Sequence, residues 1–268
     1  MAYSDEQIRG AIAAGNIVVR PFRPEAVNGA SLDVCLGRWC YRIAGPHPSE
    51  GRRAVFNPFD EEAVTAYFRL DQAHPLAEAT QRPGVPSSVR KELERLRGIP
   101  EDRLVILLAP GERVLGHTEE FVGIFDGVSE MRARSTWGRC GITVALCAGW
   151  GDPGYVNRWT MEIANNNPAW VPLLVGERIA QIVFHETGPV AHRYGHGGKY
   201  QAGEALDELV AAWSPEQMLP RAYEDLKRQR LAGPVAASVP AERVAASGAV
   251  AQPPSIPGRQ ATDAEATA

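Results

Sequence analysis

Leu104-Val105-Ile106-Leu107-Leu108, then Ala109-Pro110-Gly111-Glu112, then Arg113-Val114-Leu115-Gly116-His117 is the stretch whose reading decides the fold. A short apolar run, a Pro-Gly turn and a second half-apolar run mark antiparallel strands, because Pro lacks a ladder donor and Gly accepts turn dihedrals. The pattern recurs downstream. Apolar or β-branched runs at 142–147, 159–163 and 179–184 are separated by Asp152-Pro153-Gly154, Asn167-Pro168 and Val175-Gly176. Many short strands at that spacing predict a mainly β sandwich or barrel.

Upstream, Ser4 and Gln7 fit a capping box before a helix with Ile8, Ala11 and Ile12 on one stripe and Gly15 as its stop. Ile17 to Arg20 reads as a strand, and Pro21 and Pro24 force an extended turn. From Ser31 to Gly37, Leu32, Val34 and Leu36 alternate with Asp33 and Cys35, and Arg38 to Ile43 continues the pattern. Residues 45–102 break it. Asp60 is placed to cap a helix through Tyr67, and Ser88 to cap a second that carries Val89, Leu93 and Leu96 and ends at Gly98. This stretch is expected to be a helical insertion in a β domain that spans 1–203, serving local packing or an oligomer contact. A helical extension over 204–231 comes next, with Leu206, Leu209, Val210 and Trp213 at helical spacing. Residues 232–268, rich in Ala, Val, Pro and Ser, read as a disordered tail.

A net charge of -4 gives no case for broad nucleic-acid binding. No leader or membrane-length apolar run is seen, so the default expectation is a cytoplasmic protein without a membrane partner. Cys35, Cys40, Cys140 and Cys147 make no CxxC pair and have no His at zinc-ligand spacing; they read as buried strand residues.

Three segments carry chemistry. In Arg132-Ala133-Arg134-Ser135-Thr136-Trp137-Gly138-Arg139, two guanidinium forks flank two hydroxyls, a set suited to phosphates and equally to a solvated basic turn. In Ala148-Gly149-Trp150-Gly151-Asp152-Pro153-Gly154-Tyr155, a tight turn offers an acid and a ring. Asp152 suits a sugar hydroxyl and Tyr155 a sugar face, or Asp152 caps its own backbone. In Thr160-Met161-Glu162-Ile163-Ala164-Asn165, strand geometry puts Thr160, Glu162 and Ala164 on one face. Glu162 is then either solvent-facing or, on an enclosed face, placed for proton transfer.

The order of these segments resembles the dCTP deaminase family, part of the trimeric dUTPase-like superfamily. Arg20-Pro21-Phe22-Arg23-Pro24-Glu25 with Gly29-Ala30-Ser31-Leu32-Asp33, the hairpin at Ala109–Thr118, Gly176-Glu177-Arg178-Ile179-Ala180-Gln181 and Gly198-Lys199-Tyr200-Gln201 extend the resemblance from about residue 4 to residue 201. It implies a distorted β-barrel or jelly roll, a homotrimer with sites between subunits, and dCTP as substrate. Arg134, Ser135, Thr136 and Arg139 would hold the triphosphate with its Mg2+, and Asp152 the deoxyribose. Thr160 and Met161 would offer backbone groups to the cytosine edge, and Glu162 would be the general acid/base. Tyr194 and Lys199 would close over the phosphates. No protein-bound metal is implied. The zinc deaminases carry HxE and PCxxC signatures that this sequence lacks, so the expected mechanism is zinc-free.

Two positions depart from the family pattern. Gly203 stands where a second Gln is usual, with a helical extension after it, and Ala145 stands where a His is common. Ala148-Gly149-Trp150 looks like the members that go on to release pyrophosphate and yield dUMP, while dUTP as final product also fits. A dUTPase, a deaminase of a modified cytosine nucleotide and a non-catalytic nucleotide-binding trimer remain the other readings.

Overall fold

Ser4 opens the first helix as the capping box predicts. Its hydroxyl accepts from the Gln7 N–H at 3.3 Å, and the Gln7 side chain accepts from the Ser4 N–H at 2.9 Å. The resulting helix, α1 (Asp5–Ala13), buries Ile8 and gives way at Gly15, whose φ of 76° suits glycine. This is a computed structural model; it describes residues 1–43, 55–195, 198–201, 203 and 205–232. The chain divides into Met1–Lys227 and Arg228–Ala268, and the sheets and the cavity belong to the first unit. The expected tail, 232–268, lies outside the described residues apart from Ala232 at the end of the last helix.

In chain order the strands are β1 (Ile17–Arg20), β2 (Val27–Asn28), β3 (Ser31–Cys35), β4 (Trp39–Ile43), β5 (Phe68–Gln72), β6 (His74–Pro75), β7 (Leu104–Leu108), β8 (Arg113–Ile124), β9 (Val128–Ala133), β10 (Ile142–Thr143), β11 (Trp150–Gly151), β12 (Val156–Asn165), β13 (Val171–Leu174) and β14 (Arg178–His185). The later helices are α2 (Glu61–Tyr67), α3 (Leu76–Ala79), α4 (Ser87–Leu93), α5 (Ser135–Arg139), α6 (Leu206–Ala212) and α7 (Ala222–Ala232). One antiparallel sheet runs β10-β12-β8-β4-β5, with β1 also on β8; a second runs β11-β9-β14-β3-β2; a third, small one runs β13-β7-β6. This is the expected mainly β, distorted architecture, assembled from open sheets.

Strand periodicity explains the core. Leu32 and Val34 of β3, Met161 and Ile163 of β12, and Ala180 and Ile182 of β14 meet in one apolar cluster with Ile106, Leu108 and Phe184. The unbroken apolar run of β7 has a separate cause: both its faces are covered. Ile106 and Leu108 enter the main core, while Val105 and Leu107 pack against Leu76, Ala79, Val85 and Leu93 from α3, α4 and the loop between them.

Several local expectations need correcting. Ser88 lies inside α4 and Pro86 precedes it, because Pro fixes the entry dihedral; Leu96 is past the helix end and exposed. Asp60 does cap α2, accepting from Glu62 and Ala63 N–H. Part of the 45–102 excursion returns to the sheet: β5 pairs with β4 from Trp39↔Gln72 to Ile43↔Phe68, its β character hidden by Arg69 and Asp71 on a mixed edge strand. The run 142–147 is a strand only at Ile142–Thr143, after which the chain leaves the ladder. The basic turn closes into the short α5, tied down by Trp137 Nε1 donating to the Arg178 carbonyl at 2.9 Å. Cys35 and Cys40 are buried in strands, but Cys140 and Cys147 are exposed outside them.

Candidate active site

β12 sorts its side chains by parity. Trp159, Met161 and Ile163 enter the core, while Arg158, Thr160 and Glu162 are half-buried on the opposite face. On one edge β12 is paired with β8; on the other, β10 reaches only Ala164 and Asn165. Among the described residues, the edge from Trp159 to Ile163 therefore has no ladder partner opposite β8.

A cavity of about 450 Å³ lies at this place. Asp152, Thr160, Glu162 and Tyr194 of the predicted site line it, with Tyr155, Asn157, Arg158 and Trp159 beside them. Phe68 and Leu115 close it from β5 and β8, so the excursion contributes to the site as well as to packing. Trp213, Gln217, Met218 and Pro220 reach it from the extension, a role that the helical stripe of α6 does not reveal; Trp213 is the residue that ends α6.

Glu162 Oε2 accepts from the Leu146 N–H at 3.3 Å, which fixes the carboxylate between β12 and the loop after β10. Asp152 does not cap its own turn through its side chain; its carboxylate accepts from Trp150 Nε1 at 3.2 Å and remains exposed. The turn needs glycine at 154, where φ is 88° and an added Cβ would meet the Arg193 Cβ at 2.8 Å. Tyr155 packs edge-on against Trp159 and Tyr194, with centroids at 5.3 and 5.0 Å.

The carboxyl-terminal segment is stitched to this turn. Tyr194 N–H donates to the Pro153 carbonyl at 2.8 Å, and Tyr200 N–H to the Tyr194 hydroxyl at 3.3 Å. Gln201 accepts from Val156 N–H at 2.7 Å and donates to the Gly154 carbonyl at 3.1 Å. Asn157 donates to the Tyr200 carbonyl at 2.6 Å and to Gln217 at 3.1 Å, joining β12 to the extension. Lys199 lies outside the cavity lining and pairs with Asp225 at 2.6 Å, an interaction that raises its pKa. Asn157 and Gln201 are anchoring residues that the sequence does not single out; amides have no signature until their partners are known.

Arg134, Ser135, Thr136 and Arg139 do not line the cavity. Arg134 Nε pairs with Asp33 at 3.2 Å, and Arg178 takes the other Asp33 oxygen at 3.1 Å. Ser135, Thr136 and Arg139 lie on α5, and all three are exposed. Met161 is fully buried and does not line the cavity, although its neighbours Thr160 and Glu162 do.

Beneath the cavity wall, β8 bulges between its pairings with Arg158 and Thr160. Thr118 holds the bulge: its hydroxyl donates to the Glu120 carbonyl and accepts from Trp159 N–H. The adjacent His117 is 1% exposed. Its Nδ1–H donates to the Thr118 carbonyl at 2.8 Å and its Nε2 accepts from Trp39 N–H at 3.2 Å, a neutral tautomer. Burial pulls its pKa down to about 4. Gly37 permits this, since a Cβ there would lie 2.0 Å from His117 Cε1.

Among the described residues one group of side chains, Cys35, Glu119 and Glu120, clusters closely enough to share a metal ion. Its donors are already engaged: Arg23 pairs with Glu119 at 2.9 Å and Glu120 at 2.6 Å, and Cys35 N–H donates to Glu120. Burial pushes the Cys35 thiol up to about 12, and none of the three lines the cavity. The group is an ion-paired buttress with the wrong donor state for a metal. No helix among the described residues is long and apolar enough to cross a membrane.

Comparison with known proteins gives consistent relatives. A protein of Acidothermus cellulolyticus named "dCTP deaminase, dUMP-forming" is 28% identical over 207 residues, covering 75% of this chain and 90% of its own. One of Kocuria rhizophila with the same name is 30% identical over 206 residues, again 75% and 90%. The solved 2'-deoxycytidine 5'-triphosphate deaminase of Agrobacterium tumefaciens is similar at 21% identity with a TM-score of 0.43; the match covers 69% of this chain and spans about half, 48%, of that one. Residues 2–187 match the family model described as dCTP deaminase-like, and the chain belongs to that family.

Proposed function

We propose that the protein deaminates dCTP and hydrolyses the resulting triphosphate, dCTP and two waters giving dUMP, ammonia and pyrophosphate. The observation that carries this is the meeting of Glu162, Thr160 and Asp152 in one cavity, where β12 has β8 on one edge and, among the described residues, no strand on the other. The relatives' name and the Ala148-Gly149-Trp150 form favour dUMP over dUTP as the end product.

The site's residues divide the work. The free edge at Thr160 and Met161 offers main-chain groups to the hydrogen-bonding edge of cytosine. Asp152 accepts from the deoxyribose hydroxyl, and Tyr155 with Tyr194 walls the sugar. Glu162, oriented by Leu146 N–H, takes a proton from the water that attacks C4 of the ring. It passes that proton to the ring nitrogen as the C–O bond forms. It then takes the second proton from the new hydroxyl and gives it to the leaving amine as the C–N bond breaks and the C4 carbonyl forms. General acid/base catalysis of this kind contributes on the order of 10²–10⁴-fold, and fixed dipoles around the developing charge supply more. The proton work needs no zinc.

Arg134, Ser135, Thr136 and Arg139 lie off the cavity within one chain, which supports a homotrimer in which they serve a neighbour's cavity. Mg2+ enters as part of the substrate, on the triphosphate, since the acids that cluster among the described residues, Glu119 and Glu120, are spent on Arg23. Incubation with Mg2+ and, separately, dCTP, dCMP, dUTP and 5-substituted dCTP analogues, with products resolved by chromatography, tests the reading. Ammonia and dUMP from dCTP are expected. Turnover of dUTP alone, of a modified base alone, or of nothing would each replace it with one of the other readings.

A further inference from the structure

The cavity carries one cation among its described lining residues: Arg158, against the carboxylates Asp152 and Glu162. Among the described residues no carboxylate forms an ion pair with Arg158. Glu119 and Glu120 act on it electrostatically, but both are bonded to Arg23. Its Nε is buried without a hydrogen-bond partner, whereas its terminal Nη groups are not closed off in this way. Two rings grip the guanidinium, Trp213 with its centroid 4.5 Å from the central carbon and Phe121 at 5.1 Å. Trp213 is itself braced by His117, centroid to centroid 4.8 Å. Burial in this slot lowers the pKa of Arg158, yet a guanidinium stays charged.

A fixed, planar, half-desolvated cation with free donor edges is incomplete without an anion. The position along β12 says which part of a nucleotide supplies it. Arg158 and Glu162 share one face four residues apart, about 13 Å along an extended strand. That is farther than a pyrimidine ring extends from an amino group held at Glu162, and it falls where the sugar and first phosphates lie.

We propose that Arg158, clamped between Phe121 and Trp213, is an anion-binding residue that holds the substrate's phosphate chain from within the same subunit. The inference rests on the nucleotide reading above and adds a phosphate contact to it. It also makes the extension part of substrate binding, since Trp213 orients the guanidinium that meets the phosphates.

Binding to the Glu162→Gln protein, measured by calorimetry with and without Arg158→Gln, tests this with dCTP plus Mg2+ and deoxycytidine as probes. The added substitution is expected to weaken dCTP by about 10- to 100-fold, the range for losing hydrogen bonds to a charged group, and to leave deoxycytidine nearly unchanged. Arg158→Lys keeps the charge without the fork and is expected to fall between. Equal losses for both probes would show that Arg158 only shapes the wall, and unchanged dCTP binding would show no phosphate contact; either overturns the proposal. Circular dichroism melting confirms that the variants fold, and Trp213→Leu in a folded protein is expected to weaken dCTP in the same selective way. Should Glu162→Gln still release ammonia, the catalytic assignment fails, while the binding comparison continues to judge Arg158.

Discussion

The main-chain N–H of Leu146 is aimed at Glu162 Oε2 across 3.3 Å, so a loop that leaves its strand early meets the middle of β12 at one carboxylate. Glu162→Gln keeps an acceptor for that N–H and removes the proton carrier. Ammonia release from dCTP should fall by about 10²–10⁴-fold or more, with the melting temperature preserved. A variant retaining most of its turnover would remove Glu162 from the chemistry.

His117 makes stability depend on pH. Its folded pKa, about 4, lies below the unfolded value of about 6.5, so the fold prefers the neutral ring. The stabilisation is complete above about 6.5 and is lost as pH falls toward 4, a change on the order of 3 kcal/mol. Urea unfolding at pH 7.5 and 4.5 should therefore show a larger acid loss for the native protein than for His117→Gln. Equal losses would mean that other groups set the acid limit.

Gly198 leaves room for the Tyr194 ring. An added Cβ would lie 2.2 Å from its Cε1, so Gly198→Ala must push Tyr194 away from Tyr155. KM for dCTP is expected to rise several-fold with little change in melting temperature. An unchanged KM would place Tyr194 outside the substrate's reach.

Mixed subunits test the shared site. Glu162→Gln and Arg139→Ala proteins should each be inactive alone. Co-expressed, they should regain activity, because some interfaces then join an intact Arg139 to an intact Glu162. No recovery in a demonstrated mixed trimer would assign both residues to the same subunit's site, and a monomer on sizing would dismiss the assembly.

The parity of β12 is readable directly: Met161 and Ile163 are core, Thr160 and Glu162 are not, and a period of two needs only the sequence. The Ser4 cap and the Asp60 cap are legible for the same reason, since each is a contact within one turn. β5 is not, because an edge strand carrying Arg69 and Asp71 owes its conformation to β4, on the far side of the excursion's first helix. Trp213 and Phe68 escape notice as site residues for a related reason. Their place in the cavity depends on where distant segments dock, and nothing local distinguishes a ring that packs from a ring that lines a pocket. Arg158 reads as one more strand residue until its surroundings show two rings and, among the described residues, no carboxylate paired with it.

The family model's match ends at residue 187 and the motif resemblance at residue 201, yet the pocket is finished by Trp213, Gln217 and Met218. The boundary of inherited sequence and the boundary of the working unit are thus different lines. An appendage that has been annexed by a site can no longer drift as appendages do, and it offers selection a lever the sheets lack. Changes in a short extension can retune what the pocket accepts while the strands that hold Glu162 are left untouched.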